Sequence, residues 1–385
     1  MKRVYIQQSF IAHYRKAVFE LLSSSEEFEF TFLADSRSDT PSIKTVEWET
    51  TRIRLKYAPT SILKLPLIPS LFCQPAAIAH VARDKPDLVI AVGNPYSLTT
   101  WALLFIGRLW SIPIVLWSHG LLKSESGPKW WVRKSFYMLS RGLLLYGDHA
   151  KELLAEKGFD RRALKVVYNS LDFQNQEKLM NKIAKSELNL FRSSLGVSEG
   201  DGLIVFSGRL LRNKKLDLLL ESVGILRGRD RVVHVALIGD GSERSLLVSQ
   251  AIRLNIVSQI HFLGESYEEP FIAKVFMASD LAVIPSGAGL SVMHALGYGL
   301  PVLLHDRPDE HGPEWEAVRE GETGFFYRYG DIQDMAQKIE GALFPKSRNT
   351  VMKEACLGMI RNRYNASAQA NAITSAVSQT IQSRP

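Results

Sequence analysis

The densest set of residues able to do chemistry is the run Phe206-Ser207-Gly208-Arg209-Leu210-Leu211-Arg212-Asn213-Lys214. An apolar run ends at Gly208, where a missing side chain permits close backbone approach. Arg209 and Lys214 follow, five residues apart, on the way into a helix. Two cations at a helix N-terminus, with its free amides and dipole, suit a diphosphate. A solvated basic loop ahead of a surface helix fits the same spacing. Gly239, in Ile238-Gly239-Asp240-Gly241, marks a second strand-to-loop turn, which alone is only a tight turn. A third loop, Pro285-Ser286-Gly287-Ala288-Gly289-Leu290, is built of small residues and leads into another helix. Its amides can hold a second phosphate or a sugar. His294 on that helix can hydrogen-bond a ribose hydroxyl or serve structurally.

The first half of the chain offers different groups. His119 follows Trp117-Ser118 and precedes Gly120, so it stands at the carboxyl end of a buried strand. It can point into a cleft, or cap the strand as a satisfied polar group. Arg15 opens the first helical stretch, and Asn169 lies at the end of a later strand; either can stabilise a loop instead. Residues 127–138 combine Lys129, Trp130, Trp131, Arg133 and Lys134. Helical spacing puts Lys129 and Arg133 on one face and Val132, Phe136 and Leu139 on another. Such a helix can rest in a lipid headgroup layer, or pack on a core with a solvated basic side. The apolar, proline-broken stretch 62–69 is a further candidate membrane contact, or a loop over the core.

These residues need elements to hold them. Strands are expected at 4–7, 28–34, 88–92, 112–117, 142–146 and 165–168, with helices such as 14–23 and 74–83 between them. The alternation restarts with strands at 203–207, 232–238, 260–263, 281–284 and 301–305, and helices at 215–227, 246–254 and 292–298. Alternating strand and helix predicts parallel sheets covered on both faces. The length of 385 residues suits two or three domains. We divide the chain into a first α/β domain (1–172), a polar, partly helical linker (173–198), a second α/β domain (199–354) and a helical segment (355–385) that packs back on the first domain. Two such domains leave a cleft, with ligands at the carboxyl ends of strands.

The order of motifs in the second half resembles the nucleotide-binding domain of family 4 glycosyltransferases. They run Gly-Arg-x-x-x-x-Lys, Ile-Gly-Asp-Gly, Phe-Leu-Gly, Pro-Ser followed by Gly-Leu, Ala-x-x-x-Gly-x-Pro-Val, and Gly-x-Thr-Gly. The resemblance covers about residues 200–330, with a looser match over 1–172. It implies a GT-B fold of two Rossmann-like domains facing each other across a cleft. Arg209 and Lys214 would neutralise a leaving diphosphate, Gly289 and Leu290 would lie by the β-phosphate and sugar, and Glu316 would be a donor-side carboxylate. His119 would touch the sugar or transition state. The family carries two Glu eight positions apart where this chain has Ser286 and His294, so this is a variant branch. The resemblance implies retention of anomeric configuration, with a donor phosphate oxygen able to take the acceptor proton. The expected donor is a nucleotide-sugar, UDP first and GDP second, and the expected acceptor a lipid-linked glycan of bacterial surface polysaccharide. A non-catalytic sugar-nucleotide-binding subunit and a GT-B-like epimerase are the rival readings.

Charge and composition narrow the rest. Residues 1–172 hold 23 Lys/Arg against 16 Asp/Glu, whereas the remainder holds 24 of each. The basic half is expected to meet an anionic lipid surface; no nucleic-acid signature accompanies it. No Asp-x-Asp occurs, so neither metal nor other cofactor is expected. There is no P-loop, His-Glu-x-x-His or Gly-x-Ser-x-Gly. The two cysteines, Cys73 and Cys356, lie in no metal or redox spacing. With no signal peptide apparent, we expect a cytoplasmic protein, peripheral on the inner face of the membrane. The apolar stretch 98–117 is read as a helix followed by a strand, because a span would bury Arg108 in lipid.

Overall fold

Runs of Val, Ile, Leu and Phe that alternate with amphipathic stretches become strands covered on both faces. Val4, Ile6, Phe32, Leu88 and Ile90 are all fully buried. A computed structural model describes residues 1–38, 44–46, 51–64, 69–344 and 349–383. It divides into two units, Met1–Leu171 with Asn365–Pro385, and Asp172–Tyr364.

In the first unit the chain order is β1 (Lys2–Phe10), α1 (Lys16–Ser23), β2 (Phe28–Asp35), β3 (Leu55–Tyr57) and a hairpin of β4 (Ser61–Leu63) and β5 (Leu71–Cys73). There follow α2 (Pro75–Asp84), β6 (Leu88–Val92), α3 (Leu98–Leu109), β7 (Ile114–Ser118), α4 (Gly127–Met138), β8 (Gly142–Leu145), α5 (Asp148–Glu156) and β9 (Leu164–Val166). Among the described residues the main sheet runs β3-β2-β1-β6-β7-β8-β9, parallel at every pairing. The stretch 98–117 is the helix α3 and the strand β7, turned tightly where a Cβ on Gly107 would come 2.5 Å from Ile114. Among the described residues no helix is long and apolar enough to cross a membrane.

The second unit begins with α6 (Phe173–Met180) and α7 (Lys185–Ser194), then β10 (Gly202–Ser207), α8 (Leu216–Arg227), β11 (Val233–Ile238), α9 (Arg244–Arg253) and β12 (Ile260–Gly264). It continues with α10 (Glu269–Ala278), β13 (Leu281–Val283), α11 (Leu290–Gly297), β14 (Val302–His305), β15 (Gly324–Tyr327), α12 (Ile332–Leu343) and α13 (Asn349–Asn362). Its parallel sheet runs β12-β11-β10-β13-β14-β15. The order reverses between β10 and β13, the switch point at which open α/β sheets bind ligands beyond their carboxyl ends.

Two boundaries differ from the sequence reading. Residues 173–198 are not a free connector, because α6 and α7 pack on α10 within the second unit. Helix α7 buries none of its residues; Arg192 anchors it instead, donating to Ala278 O at 2.8 Å and pairing with Asp280 at 3.0 Å. At the other end α13 stays with the second unit, with Cys356, Leu357 and Ile360 buried. The chain crosses over at Asn365, whose side chain accepts from Ala368 N–H at 2.8 Å and caps α14 (Ala366–Gln382). Helix α14 lies beside α1 on one face of the first sheet, where Ile373 and Val377 join Phe19 and Phe32. Helices α2 to α5 cover the opposite face.

Low on the second sheet, His234 and His261 stack at 5.3 Å, with Nδ1 of one 3.0 Å from Nε2 of the other. Burial, then mutual repulsion, lowers the pKa of His261 to about 4; burial also lowers that of His234, against a partial opposing pull from Asp201. A folded-state pKa below the unfolded value means that the unfolded chain takes up more protons on acidification. Stability is therefore expected to be full above about pH 6.5, the free-histidine value, and to fall toward pH 4. Melting temperatures across that window check this, and His261→Gln should flatten part of the slope.

Candidate functional site

The loops after β10 and β11 are bound to each other by backbone. Gly208 N–H donates to Ile238 O at 2.9 Å, Leu210 N–H to Asp240 O at 2.9 Å and Glu243 N–H to Leu210 O at 3.0 Å. Gly239 has φ +138, and a Cβ there would lie 2.0 Å from Gly208 O. Between the tethered residues 208 and 210 stands Arg209, exposed and without an ion pair among the described residues. Lys214 closes a short 3-10 turn through Leu211 O. Burial first, and Arg209 second, hold its ammonium below the usual lysine range. Among the described residues neither cation has a carboxylate partner, an arrangement whose electrostatics would suit an anion.

Across the switch point, β13 leads into Pro285-Ser286-Gly287-Ala288-Gly289. Tyr327 Oη donates to Pro285 O at 2.7 Å, and Gly312 N–H to Ala288 O at 2.6 Å. Gly287 has no room for a side chain, since a Cβ would meet Glu310 O at 2.6 Å. Ser286 is buried. Gly289 is the N-cap of α11, so the Gly289 and Leu290 amides belong to the unsatisfied first turn of a helix.

His294, one turn further, is engaged: its Nε2 lies 2.9 Å from Glu269 Oε1, which also accepts from Tyr298 Oη at 2.6 Å. Phe276 stacks on the imidazole at 5.1 Å. Glu316 lies half-buried in the 3-10 turn Pro313–Ala317, while Glu314 in the same turn is buried. Glu269, Glu314 and His311 were not singled out in the sequence. Glu269 lies 25 residues from His294 and His311 lies 23 from Ala288, while Glu314 has no spacing to mark it.

In the first unit the switch point falls between β1 and β6. Arg15 donates to Tyr146 Oη and lies over the Trp117 ring at 4.8 Å. His119 packs on Tyr146 at 4.6 Å between centroids. The sequence therefore brings Arg15 and His119 together through aromatic rings. Ser118 sets the turn beneath, donating to Gly93 O at 3.0 Å and accepting from Gly120 N–H at 3.0 Å. The surrounding protein, and then Arg15, lower the His119 pKa to about 4. Near pH 7 the imidazole is therefore neutral. Asn169 is buried and accepts from Ser170 N–H.

Helix α4 departs from the amphipathic reading. Trp130 is in the core, edge-on to Phe159 at 6.3 Å, so it is not a boundary residue. Arg133 is half-buried, paired with Glu125 at 2.8 Å and hydrogen-bonded to Tyr137. Val132 is exposed while Phe136 is buried, so the two do not share a face. Trp131 and Met138 are exposed, as are Phe105 and Leu109 on α3, and Arg108 reaches Met138 O at 3.5 Å. Lys134 lies 5.8 Å from the Trp131 ring centroid, and Lys129 is exposed beside Glu125. Of residues 62–69, positions 65–68 lie outside the described residues. Among the described residues no three His, Cys, Asp or Glu side chains gather as metal ligands.

Two parallel α/β units, each with polar loops at the carboxyl edge of its sheet, define the GT-B class of glycosyltransferase fold. The chain belongs to glycosyltransferase family 4: the model described as "Glycosyltransferase Family 4" matches residues 24–175, and that described as "Glycosyl transferases group 1" matches residues 201–343. It is 25% identical over 309 residues to a D-inositol 3-phosphate glycosyltransferase of Nocardia farcinica, covering 73% of this chain and 65% of that one. It is 28% identical over 198 residues to the lipopolysaccharide core biosynthesis glycosyltransferase LpsE of Rhizobium meliloti, covering 50% and 54%. The chain thus spans between half and two thirds of these relatives' length. Among solved structures, HepE of Anabaena in complex with UDP superposes with a TM-score of 0.73 at 18% identity, over 98% of this chain and 100% of that one.

Gly239→Ala forces a side chain into the Gly208 carbonyl and an unfavourable φ. It should cost at least about 1–3 kcal/mol in urea unfolding. Gly341→Ala, in helix α12 with no atom within 4 Å of the added Cβ, is the control and should stabilise slightly.

Proposed function

We propose that the protein is a metal-independent, retaining hexosyltransferase. It would move a sugar from a nucleotide-sugar, UDP-linked first and GDP-linked second, to a lipid-linked glycan in bacterial surface polysaccharide biosynthesis. The observation that carries this is the pair Arg209 and Lys214, close to each other and without an ion pair among the described residues. Breaking a glycosidic bond to a nucleotide leaves a diphosphate whose charge must be neutralised. The two cations and the Gly289 and Leu290 amides supply fixed positive potential for it, without reorganisation during the reaction. Neutral His119 is assigned a sugar-hydroxyl contact, and a donor phosphate oxygen the acceptor's proton. Membership of family 4 and the UDP bound by a structural neighbour support the choice of UDP as first probe.

The buried Ser286 and the engaged His294 favour one second reading, a sugar-nucleotide-binding subunit without turnover. Calorimetry and thermal shift with UDP, GDP, ADP and their sugar conjugates separate the cases. One diphosphate should raise the melting temperature by mass action, and Arg209→Ala should weaken its binding about tenfold or more. No binding by the wild type at millimolar concentration overturns the donor assignment. Binding with neither transfer nor slow donor hydrolysis moves the second reading to first place.

For the membrane contact we propose a cytoplasmic-face surface made of Phe105, Leu109, Trp131, Val132 and Met138, rimmed by Lys129 and Lys134. Apolar side chains beside cations suit an anionic headgroup layer. Sedimentation with phosphatidylglycerol vesicles should exceed that with phosphatidylcholine, and should fall with salt and in Trp131→Ala. Trp130→Ala should instead lower the melting temperature. Equal binding to both lipids removes the electrostatic part of the proposal.

A further inference from the structure

Small-residue loops are mobile unless something outside them fixes their backbone; Tyr327 holds the loop's start at Pro285 O, and residues 305–312 hold its middle. His311 is 1% exposed. Ala288 N–H donates to its Nδ1 at 3.0 Å. A neutral imidazole that accepts at Nδ1 carries its proton at Nε2. That proton has an acceptor, since Nε2 is 2.9 Å from His305 O at the end of β14. The imidazole therefore bridges the strand end to the loop by two hydrogen bonds of defined direction. Stacking on the His305 ring, 4.0 Å between centroids and 22° between planes, limits its rotation. The next residue completes the link: Gly312 N–H donates to Ala288 O at 2.6 Å, so both backbone groups of Ala288 are taken. On the other side of the segment, Glu310 O packs against Gly287.

We propose that His311 is a positioning residue for phosphate binding, fixing Ala288 so that the next two amides, Gly289 and Leu290, are presented to the second phosphate of a nucleoside diphosphate. The inference rests on the donor-site reading above. Because His311 occupies the Ala288 amide, that group is not available to a ligand, and the anion site is confined to the start of α11. Losing the imidazole leaves a buried amide and a buried carbonyl without partners, and frees the loop. The effect falls on the second phosphate, whereas the Arg209 side of the site is held by its own backbone contacts to residues 238–243.

The experiment measures binding of UDP and UMP by calorimetry to wild type, His311→Leu and His311→Asn, with melting temperatures taken in parallel. His311→Leu is expected to bind UDP about tenfold more weakly and UMP within about twofold of wild type. His311→Asn, which keeps an acceptor near Ala288 but not the bond to His305, should lose about threefold, again for UDP alone. A loss shared equally by UDP and UMP, or no loss, overturns the positioning role while leaving the donor site intact. If His311→Leu does not fold, the UDP-to-UMP comparison in His311→Asn decides by the same criterion. If wild type binds neither UDP nor any other diphosphate of the panel, the donor reading fails first and this inference falls with it.

Discussion

The approach of two backbones, at Gly208 and Gly239, is the constraint on which the second unit's ligand edge depends. Parallel strands deliver their loops to the same side of a sheet, but do not by themselves bring those loops into contact. Here the loops after β10 and β11 are tied by three backbone hydrogen bonds, and any side chain at 239 would overlap the Gly208 carbonyl. The result is that Arg209 has a fixed backbone on either side and, among the described residues, a guanidinium without an ion pair. A charge presented from a rigid base is organised before its partner arrives. Lys214 then sits close enough for the two cations to disfavour each other, a cost that a bound dianion would relieve.

The first unit solves a different problem with different parts. Among the described residues Arg15 meets no carboxylate; it lies on Trp117 and donates to Tyr146, and His119 packs on the same tyrosine. Aromatic faces can hold a guanidinium without neutralising it. Burial first, and this cation second, lower the pKa of the neighbouring imidazole. One unit thus gathers positive charge on polar loops, while the other keeps a neutral hydrogen-bonding group beside a cation held by rings.

Much of this was legible before any coordinates, for reasons that can be named. Strands buried on both faces, such as Val233–Ile238, are continuous apolar runs, and the glycines that end them sit where loops must touch. The cations of the 208–214 loop stood out because both are local to one turn. What could not be read was mostly pairing at a distance. Nothing in the spacing joins Ala288 to His311 or His294 to Glu269, since loops between separate strands set those distances. Helix α4 failed for another reason. Trp130 and Trp131 are adjacent and chemically alike, and only the packing of Phe159 and Phe136 decides which of them enters the core. The stretch 173–198 looked like a tether because α7 buries no residue fully and leans on polar links, Arg192 to Ala278 O and Asp280 and Glu187 to Lys274.

The return of α14 to the first unit has a consequence for how the chain acquires its structure. The face of the first sheet that carries Val18, Phe19 and Phe32 is completed only by Ile373, Ala376 and Val377. Gln369 stitches the join, donating to Tyr168 O at 2.6 Å and accepting from Ser170 Oγ at 2.8 Å. More than 190 residues, an entire domain, separate the two sides of that seam. During synthesis the earlier-made unit must wait with an apolar face uncovered while the later-made one emerges and folds. The order of maturation is therefore inverted relative to the order of translation: the second unit can finish first, and the first is sealed last.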